Sequence, residues 1–176
     1  ITALDKLGGS YQFRTQLYYT GKVEDHTLTG DLYCVGGFDP RFNIDDMNAF
    51  VESIRRMGVD TIRGSIVADR SMRDADLLGE GWCWDDDNPP LSPLTIGRNT
   101  QFVDRFIRQL VDDGVVLDVR ISDGTLPDSA FHLCSRFHSI DQILLRMMKQ
   151  SDNFYAEAMF YQLAAHQGHR PARAKD

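Results

Sequence analysis

The chain has 176 residues, 42% of them hydrophobic and 26% charged, with a formal net charge of −7. This is the composition of an ordinary globular protein, long enough to bury one moderate core or one core and part of a second. The acidic balance and the lack of a Lys/Arg stripe exclude nucleic acid as a partner, because neutralising its phosphates needs clustered cations.

Residues 1–8 read as the last turns of a helix, with Leu4 and Leu7 on one face and Gly8 as the C-terminal cap. A helix that opens a sequence without its own beginning is expected to belong to a longer chain. Residues 11–19 and 27–35 then alternate apolar and polar side chains on either side of a polar turn, which predicts a β-hairpin. Turn chemistry follows at residues 36–40, Gly-Gly-Phe-Asp-Pro. Asn43 or Asp45 starts a helix with Met47, Phe50, Val51, Ile54 and Met57 on one face and Gly58 as its stop. Residues 61–69 form the next strand, and the order strand, helix, strand suggests a crossover unit on a sheet.

Residues 71–100 show little periodicity but hold both tryptophans, three consecutive Asp and three of the six prolines. A loop this long is usually functional or flexible, and its aromatic content favours an ordered, packed one. The helix pattern returns at residues 101–113 with Phe102, Phe106, Ile107, Leu110 and Val111, and Gly114 ends it. Strands are predicted at 115–121 and 130–137. From Ser139 the chain is helical, with Ile140, Ile143, Leu144, Met147 and Met148 in one apolar stripe, and a second helix spans 153–166. The pattern is α/β (α+β), with a boundary expected near Ser135 and Arg136. Cys34, Cys83 and Cys134 are far apart and lack metal-ligand spacing. Cys34, between Tyr33 and Val35, is expected to act as a small buried apolar residue.

The residues most suggestive of chemistry are Ser151, Asp152 and Asn153, between the last two helices. They match the middle element of the S-x-x-K, S-D-N, K-T-G set of acyl-transferring serine enzymes. In such a site a hydroxyl beside the nucleophile passes its proton to the departing amine. An amide beside it holds the substrate backbone by donating and accepting. The same tripeptide is also favourable helix-capping chemistry, so a purely structural reading stands beside the chemical one. The five histidines are scattered, and none has a sequence partner that suggests a triad.

Taken in order, residues 1–8, 11–19, 28–33, 35–40 (Val-Gly-Gly-Phe-Asp-Pro), 64–69, 81–86 (Gly-Trp-Cys-Trp-Asp-Asp) and 150–157 (Gln-Ser-Asp-Asn-Phe-Tyr-Ala-Glu) resemble segments of the peptidase S13 family. These are the low-molecular-mass class C penicillin-binding proteins with D-Ala-D-Ala carboxypeptidase and endopeptidase activity. The resemblance implies an α/β module inserted into a β-lactamase/transpeptidase-like domain. Residues 1–9 would be the end of a helix of that domain, 10–135 the inserted module, and 136–176 further helices of the same domain carrying the S-D-N motif. It implies Ser151 and Asn153 as catalytic residues and Asp152 as a substrate-binding residue in the middle, more structural position. It also implies that Asp86, after the W-x-W element, reaches the free amino group of the peptidoglycan stem peptide. The alternative for that acidic run is a hydrated loop anchored by two tryptophans.

The implied partners are peptidoglycan stem peptides and β-lactams, with no metal or organic cofactor. The implied location is periplasmic, with peripheral contact to the membrane. The apolar face from Ile140 to Met148 is expected to favour self-association. No S-x-x-K and no K-T-G occurs in the 176 residues, so the first motif is expected before Ile1 and the third beyond Asp176, and the chain alone is expected to be inactive. Two competing readings are a β-lactamase-like hydrolase, disfavoured by the long module ahead of S-D-N, and a non-catalytic cell-envelope binding module.

Overall fold

Every second residue of 28–34 and of 62–68 is apolar or glycine, and the two segments lie side by side. Leu28, Leu32, Cys34, Ile62, Ile66 and Ala68 are all buried in one apolar cluster. The computed structural model describes residues 1–83, 85 and 87–176. In chain order the elements are α1 (Thr2–Leu7), β1 (Gln12–Tyr19), β2 (Lys22–Glu24), β3 (Thr27–Val35), α2 (Ile44–Arg56) and β4 (Thr61–Asp69). They continue with α3 (Phe102–Asp112), β5 (Val116–Asp123), β6 (Phe131–Ser139), α4 (Ile140–Gln150) and α5 (Asn153–His166). The sheet runs β5-β4-β3-β1-β6, with β2 attached to β3.

The predicted hairpin is the antiparallel pair β1/β3, and the predicted crossover is the parallel pair β3/β4 with α2 between them. A second crossover, through α3, places β5 parallel to β4. The fold is therefore mixed α/β, as the sequence pattern predicts. Strand β2 falls in what the sequence shows as a polar turn. All three of its residues are exposed, so it carries no burial pattern to find. Gly64 lies at φ +149, and a Cβ there would collide with the Gly30 carbonyl oxygen of the neighbouring strand. Only glycine allows that approach.

Helices α2 and α3 cover one face of the sheet. Helix α2 begins at Asn43, whose side chain accepts from the N–H groups of Asp45 and Asp46, while Asp46 reaches back to the Asn43 N–H. This reciprocal capping satisfies donors that a helix start leaves open. Phe42, Phe50, Phe102 and Phe106 pack together beneath α2 and α3. Cys34 is fully buried here, and burial pushes its thiol up to about 12, so it behaves as an apolar residue.

A second cluster gathers Ala3, Phe13, Phe38, Met72, Leu91, Ile140, Ile143 and most of the buried face of α5. Strand β6 runs continuously from the first cluster into α4 of the second. Of the α4 stripe, Ile140 and Ile143 are buried, whereas Met148 is 75% exposed and stands outside it. The 70–101 segment forms no helix or strand among its described residues, yet it is pinned by the buried side chains of Met72, Arg73, Leu91, Leu94 and Ile96. Arg73 is the polar member of this set. Its guanidinium lies 4.1 Å over the Tyr161 ring and donates to the Leu91 carbonyl and to Asp74.

One buried polar junction ties the sheet to α2. His138 on β6 contacts Asp39 at 2.6 Å, and Arg136 donates to Asp46 at 2.8 Å. Burial pushes the Asp39 carboxyl above its ordinary value of 3.8, with the hydrogen bond and charge of His138 acting in the opposite direction. The folded protein therefore holds this proton more tightly than the unfolded chain. The resulting stabilisation is complete below 3.8 and is lost as pH rises through the raised folded value. Asp39→Asn removes that titration. Urea unfolding across about pH 3 to 6 should show wild type losing stability relative to the Asn variant as pH rises. A difference that stays flat with pH would contradict this.

Candidate active site

The chain breaks between α4 and α5 at residues 151–152, and the break separates three adjacent polar side chains. Helix α4 ends because Ser151 adopts the left-handed conformation, φ 50 and ψ 44, while its N–H still donates to the Met147 carbonyl. A non-glycine residue in this region is uncommon and often marks a site where geometry is held for function. Asp152 then returns to extended backbone and is the N-cap of α5, its Oδ1 accepting from the Phe154 N–H at 3.1 Å. Asn153 is the first residue of that helix.

This alternation divides the tripeptide. The Asp152 side chain turns inward and is only 6% exposed. Its Oδ2 accepts from Arg98 at 2.5 Å and from Arg146 at 3.3 Å. Those two guanidiniums lie over the rings of Phe154 and Tyr155. Ser151 and Asn153 are exposed on either side, and neither side chain hydrogen-bonds to another described residue. The helix cap that the sequence leaves open among Ser, Asp and Asn belongs to Asp152, and Ser151 takes no part in it. The loop therefore presents a hydroxyl and an amide to solvent from a backbone anchored by a buried charge. Such a pair can donate to and accept from a ligand backbone without first breaking internal bonds.

The loop stands at the edge of the second apolar cluster. Tyr155 and Phe154, directly after it, are buried, and burial raises the Tyr155 hydroxyl above its ordinary value, with Arg146 and Arg41 opposing. Arg98 and Arg146 were not legible as partners of Asp152. Arg98 lies 54 residues away in the long loop, and only the fold brings it near. Arg146 is close in sequence, but six residues is not a helical spacing that predicts contact.

Of the acidic run after the tryptophans, Asp86 lies outside the described residues, as does Trp84. Trp82 is half-buried against the second cluster. His132 contacts Ser135 at 2.7 Å on β6. No carboxylate hydrogen-bonds to the His132 ring among the described residues, so the pair lacks the third member of a triad. Among the described residues no group of three His, Cys, Asp or Glu could hold a metal ion, and no helix is long and apolar enough to cross a membrane.

Comparison with known proteins places this geometry in context. Residues 1–105 match the model of the D-Ala-D-Ala carboxypeptidase 3 (S13) family. Over 105 residues the chain is 30% identical to the D-alanyl-D-alanine carboxypeptidase of Actinomadura sp. (strain R39), a match covering 57% of this chain and 19% of that protein. The fold is similar to that of penicillin binding protein 4 (dacB) from Haemophilus influenzae, with a TM-score of 0.88 at 19% identity. That likeness covers 97% of this chain and 56% of the other. A structure of the same Haemophilus protein complexed with a β-lactam gives a TM-score of 0.79 at 18% identity, over 97% of this chain and 55% of the other. The chain thus spans about half the length of the solved structures it resembles, and the curated match takes in a smaller share still.

Proposed function

The chain belongs to the D-Ala-D-Ala carboxypeptidase 3 (S13) family, and on that premise we propose that it forms part of the active site of a serine peptidase of peptidoglycan. The observation that carries the proposal is the division at residues 151–153, where a buried Asp152 holds an exposed Ser151 hydroxyl and Asn153 amide in place. In this reading a serine outside residues 1–176 attacks the carbonyl of a D-Ala-D-Ala bond. Its Oγ bonds to the acyl carbon, the C–N bond breaks, and D-alanine leaves with a proton on its amine. The Ser151 hydroxyl relays that proton from the nucleophile to the departing nitrogen. The Asn153 amide spans the substrate backbone by donating to a carbonyl and accepting from an N–H. Water then cleaves the ester and releases the acid.

Asp152, in the middle position at the substrate, holds the loop in place through its cap and ion pairs. Asp86 is assigned to the free amino group of the stem peptide, on the strength of its place after Gly81-Trp82-Cys83-Trp84. Residues 10–135 act as a module inserted beside the catalytic domain, to which residues 1–9 and 136–176 contribute helices. A β-lactam would acylate the same serine. The polymer substrate places the enzyme outside the inner membrane, in the periplasm. The 176 residues hold no S-x-x-K and no K-T-G, so the chemistry needs both to be supplied alongside them.

The experiment that tests the proposal is release of D-alanine from a peptide ending in D-Ala-D-Ala. The enzyme is a protein in which this chain is joined to S-x-x-K and K-T-G segments. Stoichiometric release with multiple turnovers supports it. A folded protein that releases none sinks it.

A further inference from the structure

Behind the S-D-N loop, on the side Asp152 faces, three arginines from three different segments converge. Arg41 comes from the turn between β3 and α2, Arg98 from the long loop, and Arg146 from α4. With Asn43, Gly97 and Tyr155 they line a cavity of about 280 Å³. Asp152 is the carboxylate that pairs with them among the described residues, and its single oxygen Oδ2 is shared by Arg98 and Arg146. Arg41 has no ion pair among the described residues, and its Nε is buried without a hydrogen-bond partner. Three guanidiniums thus line the cavity, and two of them share one carboxylate oxygen, while Asp39, the other carboxylate acting on Tyr155, is engaged by His138. Buried polar donors nearly always find a partner, and one that does not calls for a reason. Guanidinium forks match the geometry of planar and tetrahedral oxyanions.

From these observations we infer that this cavity is an oxyanion-binding site, taking a carboxylate or phosphate group between Arg41, Arg98 and Arg146. The site is separate from the solvent-facing Ser151 and Asn153, and it does not depend on the acyl-transfer reading. The Tyr155 side chain lines the same cavity, and its hydroxyl, which burial keeps protonated while Arg146 and Arg41 pull the other way and Asp152 and Asp39 act with burial, is a further donor to the same anion. The volume suits the anionic end of a ligand, with the remainder lying outside. An anion held there competes with Asp152 for Arg98 and Arg146, which links occupancy to the loop that carries Ser151.

The test is calorimetric titration of the full chain with inorganic phosphate and, separately, with glutarate, at constant ionic strength with chloride as the control anion. At least one of the two should bind saturably above the chloride control. Tighter binding of glutarate would identify a carboxylate ligand, and tighter binding of phosphate a phosphate ligand. Arg41→Gln should weaken binding about tenfold or more, and Arg41→Lys should restore part of it. Tyr155→Phe is the second variant, removing only the hydroxyl, and should weaken binding about threefold. Circular dichroism melting checks that each variant is folded. Wild type that binds neither anion above chloride overturns the inference, as do folded Arg41→Gln and Tyr155→Phe variants that both bind as well as wild type. Neither readout involves acylation, so failure here and failure of the peptidase reading are distinguishable.

Discussion

Ser151→Ala is expected to reduce D-alanine release by about 10²–10⁴-fold, the range lost when a positioned proton-transfer group is removed, while the variant melts with wild type. The second half of that expectation follows from the fold. The hydroxyl is exposed, makes no hydrogen bond to another described residue, and leaves the capping of α5 to Asp152. The left-handed backbone at 151 is already that of a residue with a Cβ, so alanine adds no new steric conflict. A structural role for Ser151 would give the opposite pattern, with a lower melting temperature and little change in turnover. The two outcomes separate a proton relay from a simple helix-junction residue. The effect should fall on kcat more than on KM, because the relay acts in the transition state.

Asp152→Ala is the substitution with the largest expected effect on stability. It removes the N-cap of α5 and the shared acceptor of Arg98 and Arg146 in one step. Both arginines are more than a third exposed and can partly rehydrate, which limits the loss. The expected cost is roughly 2–4 kcal/mol, combining a cap with charge-assisted hydrogen bonds. For a chain of this size that corresponds to a fall of roughly 4–16 °C in Tm. Asp152→Asn keeps an acceptor for the Phe154 N–H and should lose about half as much. Activity should fall in both, through displacement of Ser151 and Asn153. A Tm within about one degree of wild type for the alanine variant would show that the ion pairs contribute nothing.

The longer helices and strands β1, β3 and β4 were legible because each has a buried face with its own period, whereas β5 and β6, which bury no residue, were found from apolar and β-branched residues between turns. The Met47, Phe50, Val51, Ile54 stripe and Gly58 bound α2 within a residue or two, and Ser139 and the S-D-N break did the same for α4 and α5. Strand β2 was not legible, since three exposed residues leave no pattern. Nor was the place of β6 beside β1, a pairing between segments more than a hundred residues apart that only the packed sheet decides. The site was half legible. Ser-Asp-Asn between two helices drew attention by residue type and by the ordered resemblance of the segments around it. Which of the three turns inward was not, because Asp152 is selected by Arg98 and Arg146, and no local rule brings either to it. His138 and Asp39 are separated by 99 residues, so the junction they form is likewise a product of the fold alone.

The most direct test is labelling with a fluorescent penicillin, applied in parallel to this chain alone and to a protein in which it is joined to S-x-x-K and K-T-G segments. The account predicts a covalently labelled joined protein and an unlabelled chain. A joined protein that is folded yet stays dark would contradict the acyl-enzyme reading. Labelling of the chain alone would contradict the placement of the nucleophile outside residues 1–176.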